Sequence, residues 1–298
     1  MELQLLSSCD IDKHAWDECL YNSAAPFIYA SSVYLDAMAD NWDGIVAGDY
    51  DCIMPIPWRK KFGIKYCYAA PFIQQLGVFG KDAHRQTVDD YIKLLPENFR
   101  YGDYAFNYLN AVSNAKPSNN YILSLASRYS ATSFFYTDKL KADLSKAAKN
   151  PLIYTKATIA EAIDLFCELY SERVINISAK DYSNFYGLCM LKEKEGDLIV
   201  RKICLGNQIM AISLLMKDKF RLYNLISCTT KEGRGVQAGH FLYDNLIKEF
   251  SQTGLVLDFE GSEIPGIAHF YKSFGAINQP YPKIHFNKLP YLLQLFKR

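Results

Sequence analysis

The chain has 298 residues, long enough for about two domains at roughly 150 residues each. Half of its residues are hydrophobic, with 22 Tyr and 18 Phe, which excludes a disordered chain. Lys and Arg number 33 against 32 Asp and Glu, a net charge of +1, so no global field favours a polyanion such as nucleic acid.

Helical spacing marks residues 11–20 and 31–39, the second opening on Ser31 and Ser32 as capping residues. Strand-like runs follow at 45–50 and 52–58 around a Gly48-Asp49 turn, then at 66–79. Between the last two lie Arg59, Lys60, Lys61 and Lys65, read as a solvated hairpin tip. A helix is expected over 82–95, strands over 104–110 and 121–126, and a charged helix over 138–149. Asn150-Pro151 then breaks the chain and predicts a boundary between domains 1–150 and 151–298.

The second half repeats this order: helices over 158–173 and 181–191, strands over 198–206, 208–216 and 220–228, a glycine-containing turn, a helix over 236–250, a strand over 255–260, a helix over 264–274 and a last strand near 283–287. Local sequence repeats as well, GDYDCIMPI (48–56) against GNQIMAI (206–212) and KKFGIKY (60–66) against KDKFRLY (217–223). Such a repeat is what two copies of one fold leave behind. The class expected is therefore α+β, with mixed central sheets flanked by helices in two related halves.

Eight scattered cysteines form no Cys-x-x-Cys pair, so neither a disulfide framework nor a metal site is expected. No basic leader and no apolar run near the roughly 18 residues of a membrane helix is present, and a cytoplasmic protein is the default expectation.

The chemistry concentrates in residues 220–275. A strand feeding a turn with Gly233, Gly235 and Gly239 and then a helix presents unpaired N–H groups at the positive end of a helix dipole, a place for a diphosphate. The segment KEGRGVQAGHFLYDNLI (231–247) resembles the coenzyme A loop of the acyl-CoA N-acyltransferase (GNAT) superfamily, with Arg234 in the first position, Gln237 where the pattern asks for Gly, and Gly239 in the last. Downstream, DFEGSEIPGIAHFYKSFGA (258–276) resembles the C-terminal signature of Fem-type and related GNAT proteins, and Ala268, Tyr271 and Gly275 are similar to a GNAT helix pattern. HAWDECL, YASSVYLDAM, MPIPWRKKFGIKY, PFIQQLGVF and NYILSL extend the resemblance over nearly the whole chain, to a bacterial group of Fem-like acyltransferases with two GNAT-like halves.

The resemblance implies a tandem duplicated GNAT-like fold in which strands 220–228 and 255–260 splay apart to admit acyl-CoA. The donor would run along Leu225, Ile226 and Ser227 and lie on Gly233, Arg234, Gly235, Val236, Gln237, Ala238 and Gly239. Tyr271 is then the acid for the departing thiolate, and Glu260 or Asp258, placed on one face by strand alternation, takes the amine proton. Glu260 could equally cap the next helix with Ser262. His240 and Asp244, four residues apart, read as a helix contact, and His269 beside Tyr271 as a weaker site residue. The N-terminal half, with one glycine in its turn at 80–87, is read as structural or as binding the acceptor through Gln74 and Gln75.

Three functions fit: an acyl-CoA-dependent N-acyltransferase acting on a small amine, a Fem-type transferase using aminoacyl-tRNA, and a degenerate, non-catalytic binding module. Neutral charge counts against the second.

Overall fold

The apolar runs of the first hundred residues become strands because Val, Ile, aromatic and Cys side chains there fill both faces of a covered sheet. The computed structural model describes residues 2–81, 83, 85–170, 177–261 and 263–291. It divides into two units, residues 1–118 with 280–298, and residues 119–279.

The first unit contains β1 (Leu3–Ser7), α1 (Lys13–Tyr21), α2 (Ser32–Met38), β2 (Trp42–Ala47), β3 (Cys52–Lys61), β4 (Ile64–Cys67), β5 (Phe79–Gly80), α3 (Arg85–Asn98), β6 (Tyr101–Ala105) and β7 (Lys116–Ser118). Asp12 caps α1 through the N–H groups of His14 and Ala15, and Ser31 caps α2. Buried Trp16, Tyr29, Tyr34, Ile45, Met54, Tyr91 and Phe99 form the core. The basic stretch is a hairpin tip, with Phe62 and Gly63 both at positive φ as a two-residue turn requires. Its charges are partly committed: Arg59 binds Asp40 at 2.5 Å and Lys65 binds Asp43 at 3.2 Å.

The second unit contains β8 (Tyr121–Ser124), α4 (Tyr129–Phe134), α5 (Asp138–Ala147), β9 (Leu152–Lys156), α6 (Ile159–Tyr170), α7 (Ala179–Glu195), β10 (Leu198–Leu205), β11 (Gln208–Lys217), β12 (Arg221–Thr229), α8 (Lys231–Gly235), α9 (Ala238–Glu249), β13 (Val256–Asp258), α10 (Pro265–Ser273) and β14 (Ile277–Asn278); β15 (Tyr281–Asn287) returns to the first. Leu123, Ile203, Leu215, Leu222, Leu242, Ile247, Leu257 and Phe274 build its core.

The sheets repeat one order. The first runs β1-β2-β3-β4-β6-β15-β7, with β5 also on β3, and the second runs β9-β10-β11-β12-β13-β8-β14. In each, an antiparallel meander meets one parallel pair across a helical crossover, β4 with β6 and β12 with β13. The hairpin glycines Gly48 and Gly206 have φ of 57° and 58°. The α+β class with mixed sheets is thus the observed one.

The division does not fall at Asn150-Pro151. That dipeptide turns the chain from α5 into β9 inside the second unit, because residues 119–150 place Leu123, Tyr136 and Leu140 in the second core. The strand expected at 255–260 stops at Asp258, since Glu260 takes φ of 63° and leaves the extended conformation. The helix expected over 236–250 is α9, which opens at Ala238 behind Gln237 at φ 60°, and the glycine-containing turn before it holds the short helix α8. Among the described residues no helix is long and apolar enough to cross a membrane, and no cluster of three His, Cys, Asp or Glu is placed to hold a metal.

Candidate functional site

In the second unit β12 and β13 pair through only three residues, Arg221 with Val256, Leu222 with Leu257 and Tyr223 with Asp258. β12 continues to Thr229 along β11, and there its register steps: Leu214 faces Ile226 and Leu215 faces Asn224, leaving Leu225 as a bulge. A bulge adds twist, which carries the strand end away from β13. Past Tyr223, no strand among the described residues pairs with this edge of β12.

A cleft of about 420 Å³ lies at this end of the strand. β12 contributes Ser227, Cys228 and Thr229, α8 contributes Arg234, Gln237 stands before α9, α9 contributes Gly239, His240 and Tyr243, and α10 contributes Ile267, Phe270 and Tyr271. Its size is that of a small-molecule site.

Local rules explain the polar rim. Thr230 caps α8 by accepting from the Gly233 N–H at 2.9 Å, and Arg234 ties the turn to the strand end through the Thr229 carbonyl at 2.8 Å. Gln237 holds the left-handed conformation where the coenzyme A pattern has Gly, at a cost of about 1 kcal/mol. It makes no side-chain cap, so the N–H groups of Ala238, Gly239 and His240 open α9 without helical acceptors. Two of the glycines serve packing. A Cβ on Gly233 would stand 2.1 Å from the Met210 carbonyl oxygen and one on Gly239 2.8 Å from Thr229 Oγ1, whereas Gly235 faces open space.

Tyr271 lies in an aromatic wall, its ring stacked on Phe259 at 4.6 Å. Burial pushes its pKa well above the ordinary 10, so it stays protonated at neutral pH. Tyr243 packs against Phe259 and Phe270, with centroids at 5.3 and 5.5 Å, and burial pushes its pKa up to about 12. His240 packs on Phe270 at 4.8 Å, burial lowers its pKa, and its Nδ1 is 3.0 Å from Gln237 Oε1.

Of the residues expected here, Ser227, Arg234, Gln237, Gly239 and Tyr271 line the cleft. Leu225, Ile226, Gly233, Gly235, Val236 and Ala238 sit in the same strand end and turn without lining it. Asp258 is fully buried: Arg221 Nη1 donates to it at 2.5 Å, Asn120 Nδ2 at 3.3 Å and the Glu260 N–H at 3.1 Å. Burial raises its pKa while Arg221 pulls against that shift, and its carboxylate is a structural partner to the ladder. Glu260, half-buried, does not continue the strand, so alternation does not place it beside Asp258; Ser262 lies outside the described residues. Asp244 bonds not His240 but the Tyr129 hydroxyl, at 2.7 Å. His269 is exposed.

Gln74 and Gln75 belong to the first unit and lie outside its strands. Gln75 has no exposed surface and donates to Gln74 Oε1 at 2.6 Å, so it has no face to offer an acceptor. The turn at 80–87 falls partly outside the described residues.

No protein-family description and no curated protein matches the sequence. Solved structures do. FemX aligns over 100% of both chains with a TM-score of 0.67 at 13% identity. A conserved protein of unknown function from Bacteroides thetaiotaomicron aligns over 93% of this chain and 98% of its own, TM-score 0.58, 12% identity. A tandem GNAT protein from the clavulanic acid biosynthesis pathway aligns over 97% and 99%, TM-score 0.54, 9% identity. At such identities the likeness speaks for the fold.

Proposed function

We propose that this chain, a Fem-like tandem of two GNAT-fold units, is an N-acyltransferase that moves an acyl group from acyl-CoA to a small amine in the cleft of its second unit. The observation that carries this reading is the continuation of β12 six residues beyond its ladder with β13, with the cleft at that end. An open strand edge in a protein interior needs a hydrogen-bonding partner, and an extended amide-bearing ligand supplies one.

The residues fit a diphosphate at the other end of such a ligand. The first-turn N–H groups of α9, which the Gln237 side chain does not cap, and the Arg234 guanidinium favour negative charge, and Gly239 leaves the helix start close to the strand. Bound acyl-CoA supplies the activated thioester. Tyr271, kept protonated by burial, is the proton source for the departing thiolate. The backbone N–H of Ser227 donates to the carbonyl oxygen as negative charge grows there. With Asp258 committed to Arg221, Glu260 is the carboxylate that takes the amine proton through water.

Calorimetry on the full chain with acetyl-CoA, longer acyl-CoAs and charged tRNA tests this. Binding of an acyl-CoA, followed by turnover with amines, is the expected result; no binding of any acyl-CoA sinks the reading. The full-length likeness to FemX supports a second reading, a Fem-type transfer from aminoacyl-tRNA, which charged tRNA binding alone would favour. Acyl-CoA binding with no turnover on any amine would leave a non-catalytic binding module.

A further inference from the structure

The cleft holds one side chain whose hydrogen-bonding role is set by its neighbour. His240 is the third residue of α9, next to Gly239, and it lines the cleft with Arg234 and Gln237. Its Nδ1 is 3.0 Å from Gln237 Oε1. A carboxamide oxygen only accepts, so Nδ1 carries the hydrogen and, in the neutral ring, Nε2 is bare. A bare Nε2 and a phosphate oxygen are both acceptors and repel; one added proton turns the same nitrogen into a charged donor. Phe270 and Phe274, one turn apart at the end of α10, pack against the ring with centroids at 4.8 and 6.2 Å.

Burial favours the neutral imidazole. Burial lowers the pKa of His240 from 6.5; on α5, Asp143 raises it and Lys139 lowers it. Asp143 is itself bound by Lys139 and by Lys146. α8 contributes the cationic Arg234, α10 the uncharged phenol of Tyr271, and α9 itself Asp244, one turn on and bonded to Tyr129. Among the described residues the hydrogen bond made by the imidazole goes to Gln237 and Asp143 acts on it only through its charge, so an incoming anion adds to the stabilisation of its charged form.

We infer that His240 makes the hold of this site on a diphosphate proton-linked: the imidazole takes one proton from solvent as the anion seats, and affinity rises as pH falls. The inference rests on the diphosphate reading of the cleft and adds which charge state of the protein that ligand selects. The sign follows from linkage. The bound-state pKa lies above that of the free state, so affinity is highest below the free-state value and weakens through the interval between the two. Within that interval the change approaches about tenfold per pH unit.

The test is calorimetry of the full chain with ADP-ribose, a diphosphate diester whose own charge is constant from about pH 6 to about pH 8, in two buffers of different ionisation heat. The parent protein should bind several-fold more tightly at the lower pH and take up a fraction of a proton approaching one. In His240→Gln the pH dependence and the proton uptake should both vanish. A pH-independent Kd with no proton uptake in the parent overturns the inference and leaves the diphosphate reading standing; ADP-ribose failing to bind at any pH overturns both. The parent's proton count decides the matter even if the variant is unstable.

Discussion

The two units share a strand order and end their parallel crossovers in opposite ways. In the first, the strand formed by β4 and β5 is interrupted by residues 68–78, and that insertion turns back on β6. Leu76 bridges Phe106 in parallel and donates its N–H to the Ala105 carbonyl at 2.9 Å, while Gly77 donates to the Tyr104 hydroxyl at 3.0 Å. In the second, β12 runs through with a single bulge, and no strand among the described residues lies beside its far end. Splayed strands expose backbone groups that must be satisfied. One unit meets the need with its own chain, and the other meets it with a cleft. A duplicated sheet therefore predicts where a site could be, and the strand beside the gap decides whether there is one.

The largest effect expected from separating the two is on chemistry. Tyr271→Phe preserves the stack on Phe259 and removes the hydroxyl proposed as the acid, so kcat should fall about 10²-fold or more with acyl-CoA affinity unchanged. Steady-state turnover equal to the parent's would strip Tyr271 of that role. Next comes the junction where the ladder stops. Arg221→Met leaves Asp258 buried without its cation, and urea unfolding should show a loss of about 3–5 kcal/mol. Its counterpart in the first unit is the single pair Cys67 with Gly102, which carries no charge.

A smaller effect should mark the filled gap. Gly77 has φ of +110° and an added Cβ would stand 2.1 Å from Asn110 Oδ1, so Gly77→Ala should lower stability by about 1–3 kcal/mol. Acyl-CoA affinity should not change in the same protein, since no residue of this segment lines the cleft; a large change would mean that the first unit's insertion contributes to binding. The smallest effect is a gain. Gln237→Gly relieves the left-handed strain and should raise the urea midpoint by the equivalent of about 0.5–1 kcal/mol, while freeing His240 Nδ1 from its acceptor.

Much of this was legible in the residues, for reasons that also explain the misses. The apolar runs between 42 and 67 and between 198 and 229 declare central strands because both faces are covered. Short strands such as β7 and β14 carry too little pattern to stand out. Arg234, Gln237, Gly239 and Tyr271, named from segments that resemble two motifs, and Ser227, named from the strand wedge that the resemblance implies, stand along one cleft. His240 and Tyr243 were not named for it, since helical spacing pairs His240 with Asp244, and only the tertiary contact with Tyr129, 115 positions upstream, removes that partner. Nothing local announces that Gln237 will turn left-handed, or that the glycine-containing turn before it will close into the short helix α8. Gly233 looked like a phosphate glycine, and the Met210 carbonyl against it is a neighbour only in three dimensions. Asn150-Pro151 did mark a turn; that β8 pairs with β13 rather than with its neighbours in sequence is a long-range fact.

The placement of β15 has a consequence for how the protein is made. Tyr281–Asn287 pairs with both β6 and β7, strands synthesised well over a hundred residues earlier. When residues 1–118 leave the ribosome, β6 has no neighbour on that side and β7 has none at all, and they stay so until residues 281–287 have emerged. An uncovered edge is a template for pairing with other nascent chains. Maturation of the first unit is thereby tied to the completion of the second, and a gene severed after residue 118 would yield a first fragment without β15 and a second fragment carrying β15 apart from its partner strands.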